Sequence, residues 1–175
     1  MGGAIVQKHL AAHESSVAAA VLFASAVPQG LGRAWMARSA LRTILRSRPS
    51  TLAAARAVTE GRHVPPARLA ATPFFSNRIS VTDLERWGPL LQAESRRAVA
   101  DLSRPFTDRH DVGVPLLVVG STADMIFGRR DVRKTAATYG VEAVLFDDLC
   151  HDMQLDPEWE KPALAIVRFL AQTFG

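Results

Sequence analysis

The sequence is most constrained by a short apolar run with no polar break, Val114-Pro115-Leu116-Leu117-Val118-Val119, closed by Gly120. A strand with one wet face alternates apolar and polar side chains. A strand without alternation is buried on both faces, which means a parallel sheet covered by helices. Residues 18–26, AAAVLFASA, form a second such run, bounded by Pro28, Gln29 and Gly30, and Glu142 to Phe146 reads as another short strand. Helical spacing surrounds them. Ile5, Val6, Leu10 and Ala11 predict a helix over 1–13, whose opening glycines, Gly2 and Gly3, suit a backbone that comes close to something else. Residues 129–139 predict a helix with Gly140 behind it, and 162–174 one with Ile166, Val167, Leu170, Ala171 and Phe174 on its inner face. Strands alternating with helices read as βαβ units with right-handed crossovers.

Residues 31–110 have a different character. Ala34, Ala37, Leu41, Ile44 and Leu45 predict a helix over 33–48 that Pro49 ends, and a second helix is expected over 51–60. Pro65, Pro66 and Pro73 mark irregular connections. Ser80 is an N-cap candidate with Asp83 behind it, and Val81, Leu84 and Trp87 then share one side. Gly88-Pro89 interrupts this helix, which is expected to run on to about residue 102. No strand pattern occurs in the block. The expected organisation is therefore an α/β core from 1–30 and 111–175, with 31–110 as an all-helical insertion.

Composition excludes several alternatives. At 48% hydrophobic and 22% charged, the chain is of ordinary globular character. No apolar segment approaches the ~20 residues of a membrane span, and no secretory signal is visible. A single cysteine, Cys150, allows no internal disulfide and fits a reducing compartment, so cytoplasm is the expectation. The net charge of +4 is a mild excess. Its densest run, Arg33, Arg38, Arg42, Arg46 and Arg48, reads as a solvated helix face, and no nucleic-acid partner is expected. Asp124, Asp147, His151 and Asp152 lack metal-ligand spacing, so no metal or cofactor is expected.

Ligands of open parallel sheets bind beyond the carboxyl ends of the strands. The loop after Val119 is Gly120-Ser121-Thr122-Ala123-Asp124, and the loop after Phe146 is Asp147-Asp148-Leu149-Cys150-His151. A carboxylate and an imidazole thus lie past the ends of consecutive strands. Parallel neighbours run about 4.8 Å apart, close enough for the two side chains to meet. Such a carboxylate fixes the imidazole tautomer and favours the imidazolium, while the other ring nitrogen moves a proton from and to a hydroxyl nucleophile.

The segment from Val114 to Ile126 resembles the seventh strand and acid loop of the α/β-hydrolase family. VEAVLFDDLCHDMQLD, starting at Val141, resembles the eighth strand and histidine loop. His151-Asp-Met-Gln-Leu-Asp followed by Trp159 is similar to the ending of lysophospholipase-like and esterase-like members, and residues 20–28 resemble the sixth strand, which leads into a helical cap. The resemblance implies the C-terminal part of an α/β-hydrolase: three parallel strands, flanking helices, and 31–110 as the cap. It implies Asp124 and His151 as catalytic acid and histidine. Family elbows read G-x-S-x-G, and Met1-Gly2-Gly3 falls where the residues after the serine belong. The backbone N–H of Met1 would then be an oxyanion-hole donor, and the nucleophile itself would be missing, as in a fragment or a mis-started reading frame.

The implied activity is cleavage of ester or lipid acyl bonds, with a small ester or lipid-like substrate. Alternatives are an aspartate-nucleophile member of epoxide hydrolase or dehalogenase type, and a binding module without catalysis. Ser15, Ser16, Ser25, Ser121 and Cys150 are weaker candidates for a nucleophile within the chain. Trp35, Phe74, Phe75, Trp87, Met125 and Met153 are candidates for lining a pocket. An unpaired edge over 18–26 would favour self-association.

Overall fold

The computed structural model describes residues 1–12, 17–32, 34–35, 37–38, 41, 49–69, 72–108 and 111–175. Among them, helix α1 (Gly2–Ala12) precedes strand β1 (Ala20–Phe23). The insertion then contributes α2 (Pro49–Thr59), α3 (Pro66–Leu69), α4 (Val81–Trp87), a 3-10 turn (Gly88–Leu90) and α5 (Arg96–Asp101). Strand β2 (Leu116–Ser121), α6 (Arg129–Thr138), β3 (Ala143–Phe146), a 3-10 turn (Met153–Leu155) and α7 (Glu160–Phe174) complete the chain.

The sheet has the order β1-β2-β3, and both pairings are parallel. Ser121 aligns with Phe146, so β2 and β3 end level with one another, while β1 ends at Phe23, opposite Val119. Leu10 of α1 and Val132 and Ala136 of α6 pack on Ala20, Leu22, Leu116 and Val118 to form the main core. Gly120 belongs to this contact: a Cβ there would sit 2.4 Å from a methyl of Val132. The close approach anticipated at the first glycines holds for Gly3, where a Cβ would lie 2.2 Å from Ser25 Oγ, and not for Gly2, which faces open space. Ser25 accepts a hydrogen bond from Gln7 Nε2 at 2.7 Å, and Tyr139 donates to Gln7 Oε1 at 3.0 Å. Gln7 is fully buried and therefore needs these partners. Burial pushes the Tyr139 phenol up to about 12.

Helices are the regular elements of the insertion among its described residues, and it has its own core of Ala54, Ala57, Val58, Leu69, Phe75, Ile79 and Leu84. Ser80 caps α4, accepting from Asp83 N at 3.0 Å. One expectation needs correction, and another lies mostly outside the described residues. The helix beginning at Val81 does not continue to residue 102: after Gly88–Leu90 the chain is extended, and α5 starts afresh with Ser95 as its N-cap. The helix expected over 33–48 falls largely outside the described residues, including Arg33, Arg42, Arg46 and Arg48; Ala34, Trp35, Ala37, Arg38 and Leu41 are helical.

The inner face expected for the last helix is also revised. On α7, Val167, Leu170 and Phe174 are exposed and Ile166 is half-buried, while Pro162 is the buried residue. The helix touches β2 and the Met153–Leu155 turn, and a sheet three strands wide leaves its apolar stripe largely uncovered. No helix among the described residues is long and apolar enough to cross a membrane.

Candidate active site

The acid loop builds itself. Directly after β2 the chain turns, and Asp124 Oδ1 accepts the backbone N–H groups of Ile126 at 2.6 Å and Phe127 at 3.0 Å. These bonds close an Asx-type turn, for which a short carboxylate is suited. Asp124 Oδ2 remains for a second partner, and His151 Nδ1 lies 2.9 Å from it. The Asp124 side chain is fully buried and that of His151 is 16% exposed. An ionised carboxylate only accepts, so Nδ1 carries the proton and the ring is held in one tautomer. Phe127 packs edge-on against the imidazole with centroids 5.5 Å apart. Burial by itself lowers the basicity of His151, but the hydrogen bond and charge of Asp124, helped by Asp152, outweigh it, and the net shift is upward.

The histidine loop is assembled from distant parts. Ser121 Oγ donates to Leu149 O at 2.8 Å, and Thr122 Oγ1 to Asp147 Oδ1 at 2.9 Å, so the end of β2 grips the loop after β3. Asp148 adopts a left-handed conformation, with φ 62°. Leu149 and Met153 are fully buried against Ala24, Phe23 and Phe146. The insertion contributes as well: Asp152 N donates to Phe74 O at 3.2 Å, and Arg78 reaches Asp148 O, Asp156 and Glu158. Asp156 occupies the last position of the His151-to-Asp156 motif, yet nothing in the sequence points to Arg78 as its partner. The sequence likewise carries no signal for Phe127 against the imidazole.

The other candidate nucleophiles are engaged elsewhere. Ser121 is fully buried and spent on Leu149 O, and Ser25 is buried and donates to Ala26 O. Cys150 is buried, and desolvation followed by the charges of Asp156 and Asp152 pushes its thiol far up, away from thiolate chemistry. Ser15 and Ser16 lie outside the described residues. Among the described residues no cluster of three His, Cys, Asp or Glu side chains could hold a metal ion.

Of the lining candidates, Met125 borders a cavity of about 330 Å³ between the insertion and the two loops, together with Phe75, Arg78 and Cys150. Trp35 packs on Phe127 at 5.7 Å and lines a second cavity, of about 660 Å³, with Leu31, Val99 and Ala100. Met153 belongs to the core under the histidine loop, and Phe74 and Trp87 to the core of the insertion.

No protein-family model matches the sequence, and no curated protein matches it. Two solved structures do. Rv0554 from Mycobacterium tuberculosis aligns with a TM-score of 0.61 and 19% identity over 97% of this chain. A candidate non-heme bromoperoxidase, BpoC, from Mycobacterium tuberculosis H37Rv aligns with a TM-score of 0.61 and 20% identity over 99%. The chain spans 62% and 65% of those two structures. The shared architecture and the three-stranded parallel sheet with its flanking helices make this a partial α/β-hydrolase fold, with Asp124 and His151 meeting where its adjacent strands end.

Proposed function

We propose that residues 1–30 and 111–175 carry the acid and histidine of a Ser-His-Asp hydrolase that cleaves ester or lipid acyl bonds, under a helical cap formed by 31–110. The observation that carries this reading is the 2.9 Å contact between His151 Nδ1 and a buried Asp124 whose other oxygen is fixed by two backbone N–H groups. In that arrangement Asp124 holds the ring and stabilises the imidazolium, and His151 Nε2 accepts the proton of a serine and returns it to the leaving alcohol.

In this reading the serine's place is next to Met1, which directly precedes α1. In a polypeptide that continues upstream through Gly-x-Ser, the Met1 N–H would become a peptide donor for the oxyanion. Among the described residues β1 pairs only with β2, and its open edge is a site for a further strand or for self-association.

Hydrolysis of p-nitrophenyl esters tests the reading. The 175-residue chain alone is expected to show no turnover. A polypeptide extended upstream through an in-frame Gly-x-Ser is expected to turn these esters over and to lose that activity on His151→Ala. Turnover by the extended form that survives His151→Ala would overturn the assignment. An aspartate codon in place of the serine would move the protein to the epoxide hydrolase or dehalogenase type.

A further inference from the structure

The histidine loop has a feature that the acid–base pair itself does not explain. The acid loop closes on its own backbone, whereas the histidine loop has a buried carboxylate at its far end and a left-handed residue at its near end. Both are joined by one guanidinium from the insertion. Arg78 donates to Asp148 O at 2.8 Å and to Asp156 Oδ1 at 3.0 Å, and its other terminal nitrogen pairs with Glu158. Asp156 is fully buried, and its second oxygen accepts from Cys150 N at 3.4 Å, one residue before His151. Its first oxygen also takes the Glu158 N–H at 3.2 Å.

A buried carboxylate is tolerated when its charge is countered and its lone pairs are filled. Arg78 supplies the counter-charge: its Nη2 bridges Asp148 O and Asp156 Oδ1, one on each side of His151, while Nη1 holds Glu158, and the planar guanidinium fixes these three contacts together in a way that the flexible single-point ammonium of lysine does not reproduce. The turn segment that carries Arg78 is fixed in turn, since Phe74 O accepts from Asp152 N at 3.2 Å and Phe75 and Ile79 are buried in the core of the insertion.

We infer that Arg78 is a positioning residue for His151: it clasps Asp148 to Asp156 and so holds the loop at the register that sets the imidazole against Asp124. The inference rests on reading Asp124 and His151 as the acid–base pair. Through Arg78 the insertion becomes part of the machinery that aligns the histidine.

The test uses the 175-residue chain and requires no turnover. Nitrogen-15 NMR reports the tautomer of His151, the exchange rate of its Nδ1–H, and the exchange of the Cys150 and Asp152 amides. Arg78→Lys keeps a cation beside Asp156, and Arg78→Gln removes it. Ser95→Ala, which uncaps α5 inside the insertion, serves as the control for general loosening. In Arg78→Lys the Nδ1–H and both amides are expected to exchange at least about tenfold faster, the change that follows from losing a charge-assisted hydrogen bond. Arg78→Gln is expected to mix the tautomers, and Ser95→Ala to leave all three signals unchanged. A folded Arg78→Lys chain with native exchange at His151, Cys150 and Asp152 would overturn the inference, as would equal acceleration in Ser95→Ala. If Arg78→Gln does not fold, Arg78→Lys decides alone. Failure of the esterase assay leaves this result standing, and native exchange in Arg78→Lys would leave the hydrolase reading untouched.

Discussion

The two loops at the carboxyl end of the sheet are built in opposite ways. The acid loop is closed within itself: Asp124 takes two N–H groups from the residues that follow it, and little beyond the end of β2 is needed to form it. The histidine loop closes on itself only through the 3.4 Å bond from Cys150 N to Asp156. It is held by Ser121 from the neighbouring strand, by Asp156 further along, and by Phe74 and Arg78 from the insertion. A pair that must meet at hydrogen-bond distance thus has one member set by local backbone chemistry and the other by long-range contacts. The locally built member should tolerate remote change, and the remotely built member should not.

The largest effect expected is on catalysis. In the upstream-extended enzyme, Asp124→Asn leaves an oxygen for the Ile126 and Phe127 N–H groups but turns an NH₂ toward His151, which reverses the tautomer; kcat is expected to fall by about 10⁴. Ester hydrolysis and an NMR tautomer assignment check it, and a small loss would mean that the ring needs no acceptor. Next comes stability. Asp124→Ala strips both backbone donors of their acceptor in a buried site and should cost about 3 kcal/mol in urea unfolding. Asp156→Ala should cost less, about 2 kcal/mol, because Arg78 is partly exposed and can be rehydrated. Its damage should appear as faster amide exchange in the histidine loop, with the acid loop unaffected. Equal disturbance of both loops would erase the distinction between them. Ser121→Ala removes one bridge between the loops and should cost about 1 kcal/mol.

The difference between the loops also explains what could be read from the sequence. Gly120 and Asp124 at the end of an unbroken apolar run are local signals, and the acid loop lies where they point. Ser80 with Asp83 behind it is equally local, and so is Gly140, which follows α6 with φ 68°. His151 could be placed on its loop, but its support could not. Nothing adjacent to Arg78 marks it as the partner of a carboxylate far along the chain, and the Gln7–Ser25–Tyr139 network is hidden in the same way. Gly88-Pro89 marks an interruption but does not say that the chain leaves the helix for several residues, so there is no reason in the sequence to expect a new cap at Ser95. The apolar stripe of α7 shows a third kind of limit. Its periodicity records a face suited to burial, but periodicity does not say what covers that face, and in this chain Val167, Leu170 and Phe174 stay exposed.

The coupling of Asp124 to His151 is tested most directly by titrating His151 in the 175-residue chain and in Asp124→Asn. Asp124 raises the folded pKa of His151 above the ordinary value of about 6.5. The stability from the charged pair is therefore fully present below that value and is lost as pH rises through the folded pKa. The expected result is a midpoint above the ordinary histidine value in the parent chain and a clear fall in Asp124→Asn, with the urea midpoint of the parent declining over the same pH window. Identical midpoints in the two proteins would contradict the account.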